Sequence, residues 1–294
     1  MNFKKKSYVT DFTITDDILN ASILSYLAYL EPDLFYLKWD IYRSKDLNHN
    51  NKNNFYSIRE YYASKIFSKI KDDPLFYDGS TNEKVLRDAQ AYLLTKDDTQ
   101  YIVFRGSSSI FDFISDFDFL QIPLDGYPIE ENIRIHRGFY MQFKSVRDKL
   151  FADIDPNKKL VFCGHSLASS CATIAALYYG SLHKETDITC ITFGSPRIGN
   201  SGFVNLYNSI VKNTLRFITE KDIVPVMSLP IYDYIHVCNA YCLKENYILK
   251  EEGDAHWTYR TLCSILNITK PLYMHSYNTY INYIINLYNK NIHI

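Results

Sequence analysis

The stretch LVFCGHSLASSCATIAALYYG, residues 160–180, changes character at its sixth residue. An apolar run ends at Gly164, the polar pair His165 and Ser166 follows, and small and apolar residues typical of a helix come next. In an open parallel sheet, ligands bind at the carboxyl ends of the strands. A serine at a sharp turn from strand to helix is exposed at that edge. The stretch therefore predicts a nucleophile elbow with Ser166 as its nucleophile.

The residues that flank Ser166 fit the same turn. Gly164 and Ala168 lie two positions before and after the serine, and their small size lets the strand and the helix approach closely. The main-chain N–H of Leu167 lies at the helix N-terminus, where it can stabilise an oxyanion. Matches to Gly-x-Ser-x-Gly/Ala also arise by chance, so the prediction depends on the strand before the serine and the helix after it. We expect the conformation of Ser166 to be strained by roughly 1–3 kcal/mol.

Composition and charge narrow the class of protein. The chain has 294 residues, of which 47% are hydrophobic and 22% are charged, as in ordinary soluble globular proteins. It carries 32 Lys and Arg against 33 Asp and Glu, which gives a formal net charge of -1. Nucleic-acid-binding domains present strongly basic surfaces, so this balance predicts no nucleic-acid partner.

Short apolar runs alternate with helical patterns along the chain. The predicted strands are 91–95, 101–106, 159–164, 187–194 and 214–219. The predicted helices are 16–30, 57–70, 139–152, 167–183, 203–211 and 274–288. This order favours an α/β fold with a mainly parallel central sheet and helices on both faces. We expect a single domain over residues 1–294, with the polar tract at 45–54 as a surface loop or insertion.

The cysteines and the N-terminal sequence indicate the cellular compartment in which the protein is expected. The six cysteines do not form the pattern of a disulfide framework, and we expect buried free thiols; they are Cys163, Cys171, Cys190, Cys238, Cys242 and Cys263. A single Cys-x-x-x-Cys is weak evidence for a metal, and none is predicted. Asp11, Asp16 and Asp17 stand where a signal peptide would be apolar, and no run approaches the length of a membrane span. These features favour a cytoplasmic location, with other export routes left open.

Six blocks, in order, resemble those of the class 3 (fungal lipase-like) α/β-hydrolases. They are VFRGSSSIFDFISDF, HRGF, FCGHSLASSCA, TFGSPRIGN, TEKDIVP and HSYNTYI, and the resemblance covers roughly residues 23–287. It implies an α/β-hydrolase fold with a short helical lid. The chain departs from the family in three places. Ala168 and Ser169 replace two usual glycines, Phe113 replaces a usual tryptophan, and Met274 replaces an acidic residue that often precedes the last histidine.

A serine nucleophile needs a base and a carboxylate that orients it, and in this fold the chain order is Ser, then Asp or Glu, then His. Asp222 directly follows a predicted strand, which brings it to the same sheet edge as Ser166. Its Asp-Ile-Val-Pro context resembles that of the family's catalytic acid. Glu220 and Asp233 are rival candidates, and a solvated loop carboxylate is the alternative role.

Of the four histidines that follow Asp222, three are candidates for the base. His236 lies in an alternating run typical of a strand, and His256 lies in a predicted loop. His275 precedes an apolar-periodic helix and matches the family's terminal histidine, with Tyr280 five positions on. We therefore predict His275 as the base.

The second oxyanion donor is predicted at Ser107, which follows a predicted strand at the same sheet edge. The resemblance implies that Ser107 supplies this donor and that Asp116, at the end of the lid block, anchors its side chain. A plain polar turn over 107–109 is the alternative.

The segment after Ser107 has the spacing of an amphipathic helix, with Phe111, Phe113 and Ile114 among its apolar residues. A core helix is one interpretation. The resemblance favours a lid, whose apolar side covers the site in water and turns outward at a lipid surface. This interpretation predicts peripheral rather than integral membrane contact.

These features together predict a serine hydrolase that cleaves carboxylic esters of lipids through an acyl-serine intermediate, without metal or organic cofactor. Acylglycerols are the favoured substrates because of the apolar lid. Phospholipase A1-like cleavage and feruloyl or short-chain ester hydrolysis are alternative activities. A catalytically silent scaffold is a further alternative, although a scaffold has no need of Ser166, Asp222 and His275 together.

Overall fold

The computed structural model describes residues 7–44, 57–79, 89–106, 120–220, 222–226, 232–251 and 274–292. The helices of these residues are α1 Asp16–Leu27, α2 Pro32–Ser44, α3 Ile58–Phe67, α4 Arg137–Asp153, α5 Leu167–Leu182, α6 Ser201–Ile210 and α7 Tyr277–Ile292. The strands are β1 Ser7–Thr10, β2 Leu75–Asp78, β3 Gln90–Lys96, β4 Thr99–Phe104, β5 Gln121–Pro123, β6 Arg134–His136, β7 Lys159–His165, β8 Ile188–Phe193, β9 Asn213–Thr219, β10 Ala240–Leu243 and β11 Ile248–Glu251.

Within the described residues, nine strands form one sheet in the order β1-β11-β10-β9-β8-β7-β4-β3-β2. The five central strands from β10 to β4 pair in parallel, and the outer strands at both ends pair antiparallel. All six residues of β8 are buried, as expected for a strand covered on both faces. The α/β fold predicted from the sequence is confirmed, with its parallel part at the centre of the sheet.

The central strands alternate their side chains between two hydrophobic clusters. On β7, Val161 and Cys163 pack with α1, α2, α3 and α7 on one face of the sheet. Leu160 and Phe162 pack with α4, α5 and α6 on the other face. The two layers of helices bury both faces of the sheet and leave its carboxyl edge as the place where loops and helix N-termini meet.

Several elements differ from the sequence predictions. Helix α2 and the outer strands β1, β2 and β11 were not predicted. The outer strands have only four residues each, and their identity depends on pairing with neighbours far along the chain. The run around His236 is not a strand up to position 239, because only Ala240–Leu243 pairs with β9.

The cysteines of the described residues are free thiols, as predicted. Four of the five are buried and Cys238 is half-buried, whereas Cys263 lies outside the described residues. No helix of the described ranges is long and apolar enough to cross a membrane. The polar tract at 45–54 also lies outside them.

Candidate active site

Ser166 stands between the last residue of β7 and the first residue of α5. Its φ of 61° and ψ of -131° lie in a region that L-residues rarely adopt. The turn is held by a hydrogen bond from the N–H of Ser166 to the carbonyl of Phe193, at 2.9 Å, and by one from the N–H of Ser169 to the carbonyl of Ser166, at 3.0 Å. The strained strand-to-helix turn expected from the sequence is therefore present.

The small residues on either side of Ser166 are in direct contact. A Cβ atom at Gly164 would lie 2.7 Å from the carbonyl carbon and oxygen of Ala168. No side chain fits there, so β7 and α5 approach as closely as the elbow requires. Ser169, where a second family glycine usually stands, donates its hydroxyl to the carbonyl of Gly164 at 2.8 Å, and the carbonyl of Phe193 lies 3.1 Å away. The serine therefore connects α5 to the ends of both β7 and β8.

Asp222 and His275 form a buried pair, although 53 positions separate them. The Nδ1 atom of His275 lies 2.9 Å from both carboxylate oxygens of Asp222. Asp222 is fully buried, and His275 is 3% exposed. Because the carboxylate accepts the Nδ1 proton, the lone pair of the neutral ring is at Nε2. That Nε2 atom is buried and makes no hydrogen bond to the described residues.

Other groups complete the shell around the Asp222 carboxylate. The N–H of Val224 donates to Oδ1 at 2.9 Å, and the hydroxyl of Tyr280 donates to Oδ2. The hydroxyl of Thr219, the last residue of β9, donates to the carbonyl of Met274 at 2.7 Å and so fixes the main chain just before His275. Burial, followed by the negative charge of Asp222, raises the pKa of Tyr280 well above its usual value, which keeps this donor protonated.

Gly194 is a site residue that the sequence analysis did not identify. It follows β8 with a φ of +63°, and a Cβ there would lie 3.0 Å from Cε1 of His275 and 3.1 Å from Oδ2 of Asp222. A side chain would be strained and would collide with the pair. Its sequence signal is the glycine directly after a predicted strand, the same signal that marks Gly164 before the elbow.

The rival candidates have other surroundings. Glu220 pairs with Lys244 and its side chain is 58% exposed. Asp233 is an exposed turn residue with a φ of 57°. The Nε2 atom of His236 lies 2.8 Å from the carbonyl of Pro225, so the ring donates to the main chain there. His256 lies outside the described residues. Of the candidate acids and bases that the structure describes, Asp222 and His275 are the two that it brings together.

The remaining predicted site residues divide into two groups. Leu167 is the first residue of α5, so its N–H belongs to the first turn, whose N–H groups have no acceptor within the helix. Its position fits the predicted oxyanion donor. The predicted oxyanion and lid residues Ser107, Asp116, Phe111, Phe113 and Ile114 lie outside the described residues.

Residues 101–231 match the family described as Lipase (class 3). The range begins in β4 and includes the elbow and Asp222. The central part of the chain therefore resembles the class 3 lipases. The family resemblance inferred from the six sequence blocks is confirmed.

Relatives that this chain resembles include proteins from fungi. The lipase of Rhizomucor miehei is 31% identical over 157 residues, which cover 50% of this chain and 42% of that protein. The secreted mono- and diacylglycerol lipase A of Penicillium camembertii is 29% identical over 172 residues, which cover 54% of this chain and 53% of that protein. The chain therefore spans about half the length of these relatives.

The fold is also shared with solved structures. A triacylglycerol lipase with a serine protease triad as its catalytic centre has a TM-score of 0.60 at 22% identity, over 83% of this chain and 86% of that chain. At this level of identity, the likeness shows a common fold. The common fold therefore extends well beyond the matched residues 101–231.

Proposed function

We propose that this protein hydrolyses carboxylic esters of lipids, with acylglycerols as favoured substrates, through an acyl intermediate on Ser166. The observation that carries this proposal is the buried pair of His275 and Asp222. The carboxylate holds Nδ1 of the imidazole, so that Nε2 is left as a proton acceptor at the sheet edge where the elbow presents Ser166.

In the first half of the reaction, Nε2 of His275 takes the proton of the Ser166 hydroxyl as its oxygen attacks the ester carbonyl carbon. The negative charge that develops on the carbonyl oxygen is stabilised by the N–H of Leu167 and by Ser107. Asp222 stabilises the imidazolium that forms. His275 then gives its proton to the leaving alcohol oxygen, the ester C–O bond breaks, and the acyl group remains on Ser166.

In the second half, a water molecule attacks the acyl carbonyl carbon while His275 takes one of its protons. The second tetrahedral intermediate collapses, and the proton returns to Ser166 as the fatty acid leaves. Every proton transfer uses the same Nε2 atom. The catalytic cycle therefore requires the tautomer of His275 that Asp222 selects, with the proton on Nδ1.

The substrate class rests on the apolar lid sequence and on the relatives. Triacylglycerol and mono- and diacylglycerol lipases are among the proteins that this chain resembles. An apolar lid with Phe111, Phe113 and Ile114 suits a substrate presented at a lipid surface. We therefore propose a peripheral contact with lipid–water interfaces.

We further propose that one catalytic domain carries this activity. The outer strands β1 and β2 extend the same sheet as the elbow strand β7, which supports a single folding unit. A cytoplasmic location remains a prediction. Because one relative is a secreted lipase, fractionation of the native organism into cells and medium is the test.

The test is covalent labelling combined with kinetics. A fluorophosphonate probe is expected to label Ser166, and Ser166→Ala is expected to abolish labelling and to lower ester turnover by roughly 10⁴- to 10⁶-fold. Unchanged turnover in that variant would remove the mechanism. A chain-length series of p-nitrophenyl esters, with and without a lipid interface, then distinguishes a lipase from a short-chain esterase.

Ser170→Ala is the matched control. Ser170 lies in the first turns of α5, is fully buried, and its hydroxyl oxygen makes no hydrogen bond to the described residues. The control makes the same chemical change four positions from Ser166. It is expected to retain both labelling and turnover.

A further inference from the structure

We propose that His165 is a positioning residue that holds the base His275 in place, and that Tyr29 sets the tautomer of His165 required for this. The inference rests on the proposed ester hydrolysis. It assigns a task to two buried groups, His165 on the elbow strand and Tyr29 just after α1, that take no part in the proton transfers described above.

The hydrogen bonds of His165 determine its tautomer. Its Nε2 atom lies 2.9 Å from the main-chain oxygen of His275. A carbonyl oxygen only accepts, so Nε2 carries the proton and donates it. In a neutral ring Nδ1 is then an acceptor, and the hydroxyl of Tyr29 lies 2.7 Å from it. Tyr29 therefore donates to Nδ1, and the two bonds allow only one tautomer of the neutral imidazole.

The ring of His165 also packs against the ring of the base, His275. The ring centroids of His165 and His275 are 4.6 Å apart, with 30° between the planes. Tyr277 packs edge-on against His165 at 4.8 Å, and Tyr280 does so at 5.3 Å. His165 is 3% exposed. The stacked ring and the bond to the main chain of His275 together limit the movement of the base in two directions.

A neutral His165 suits its position beside the base His275. Burial, followed by the neighbouring His275, lowers the pKa of His165 well below its ordinary value, so the ring is neutral. When His275 takes the proton of Ser166 it becomes positively charged. A second charged imidazole stacked on it would oppose that step, and a neutral ring in the Nε2–H tautomer does not.

Tyr29 also contacts the strand that leads to the predicted oxyanion residue. A Cβ atom at Gly106 would lie 2.2 Å from the hydroxyl oxygen of Tyr29 and 3.0 Å from the main-chain oxygen of His165. Gly106 directly precedes Ser107 in the chain. The Tyr29 side chain thus packs where the elbow strand, the base and the start of the oxyanion segment meet.

The experiment compares four variants with the wild type on a soluble p-nitrophenyl ester. His165→Leu removes the donor to His275, and His165→Gln keeps an N–H donor at a similar reach. Tyr29→Phe removes only the hydroxyl. Tyr26→Phe is the matched control, because the ring of Tyr26 lies 5.8 Å from that of Tyr277 and the ring of Tyr29 lies 5.9 Å from it. The His165 ring is bonded to Tyr29 and to His275. The measurements are kcat, KM, the rate of fluorophosphonate labelling and the thermal midpoint.

For His165→Leu, kcat and the labelling rate are expected to fall by about 10- to 100-fold, with KM within about threefold, since the base is misplaced and the binding surface is unchanged. His165→Gln should recover most of the loss. Tyr29→Phe should lower kcat several-fold, and Tyr26→Phe should not lower it.

The proposal would be overturned if kcat were unchanged in all three variants, His165→Leu, His165→Gln and Tyr29→Phe. It would also be overturned if His165→Gln and His165→Leu lost kcat equally. If His165→Leu does not fold, the comparison of kcat between Tyr29→Phe and Tyr26→Phe tests the proposal, because both substitutions keep the aromatic ring and its packing. A wild type that neither turns over ester nor reacts with the probe would instead overturn the proposed function.

Discussion

The hydroxyl group of Tyr280 donates a hydrogen bond to Oδ2 of Asp222 and accepts one from the main-chain N–H of Thr219, at 3.1 Å. Tyr280 therefore connects the end of β9 to the carboxylate that holds His275. Because Asp222 is fully buried, its charge depends on donors within the protein. Among the described residues, Tyr280, Val224 and His275 supply them.

Tyr280→Phe is expected to reduce the free energy of unfolding by about 1.5–3 kcal/mol, since a hydrogen bond to a buried charge is lost. The remaining donors keep Asp222 on His275, so kcat should fall by only about 10-fold. Urea unfolding and steady-state kinetics measure the two effects. Loss of activity as complete as in Ser166→Ala would contradict this, because it would give Tyr280 a part in the chemistry itself.

The two described histidines that follow Asp222 in sequence are expected to differ sharply. His275→Ala should lower kcat as far as Ser166→Ala does, and the double variant should be no worse, because residues that act as a unit are not additive. His236→Ala should keep its turnover and lose about 1 kcal/mol of stability with its bond to the carbonyl of Pro225. Turnover of the single and double variants checks this, and an inactive His236→Ala would show that the base has been misassigned.

Two neighbouring serines of α5 provide a matched pair for the elbow. Ser169→Ala loses the hydroxyl bond to the carbonyl of Gly164, whereas the hydroxyl of Ser170 has no bond to lose among the described residues. Both changes gain the same helix propensity. Ser169→Ala should therefore be less stable than Ser170→Ala by about 1 kcal/mol. Equal unfolding midpoints would mean that the bond from Ser169 does not stabilise the elbow.

The lid hypothesis is tested at the solubility limit of a short-chain ester. Exposing a Phe or Ile side chain to water costs roughly 1.5–3 kcal/mol relative to burying it. A lid that opens onto a lipid surface avoids this cost, so activity should climb steeply once substrate droplets form. Replacing Phe111 and Ile114 by serine should flatten this climb while turnover of the dissolved ester stays within a few fold. A wild type without a break, combined with equal losses on both substrates, would favour a core helix instead.

Alkaline stability should reflect the buried thiols. Burial raises the pKa of Cys163, Cys171 and Cys190 from 9.0 to about 12. Between these values the unfolded chain has lost protons that the folded chain still holds, so stability falls as the pH rises from 9 to 12. Each thiol contributes a slope of up to about 1.4 kcal/mol per pH unit. Urea unfolding under reducing conditions measures the slope, and Cys171→Ala should reduce it; a flat profile would contradict the prediction.

The sequence by itself determined the centre of the fold and the position of the elbow. The strands β7, β8 and β9 are apolar runs bounded by turns, and the pattern from 160 to 180 places a serine between strand and helix. Such features depend on neighbours within a few residues along the chain, so their signal is local. The expectation of a strained Ser166 followed from that same local pattern.

Only the tertiary structure decided which distant groups meet. His275 is hydrogen-bonded to Asp222, which lies 53 positions earlier in the chain, and His165 is hydrogen-bonded to Tyr29, which lies 136 positions earlier. Neither the partners nor the tautomer of His165 leaves a periodic signal in the sequence. The four-residue outer strands were missed for a related reason. A residue's protonation state, its partners and the pairing of a short strand are set by burial and by what packs against them, and these arise only when the chain folds around its parallel sheet.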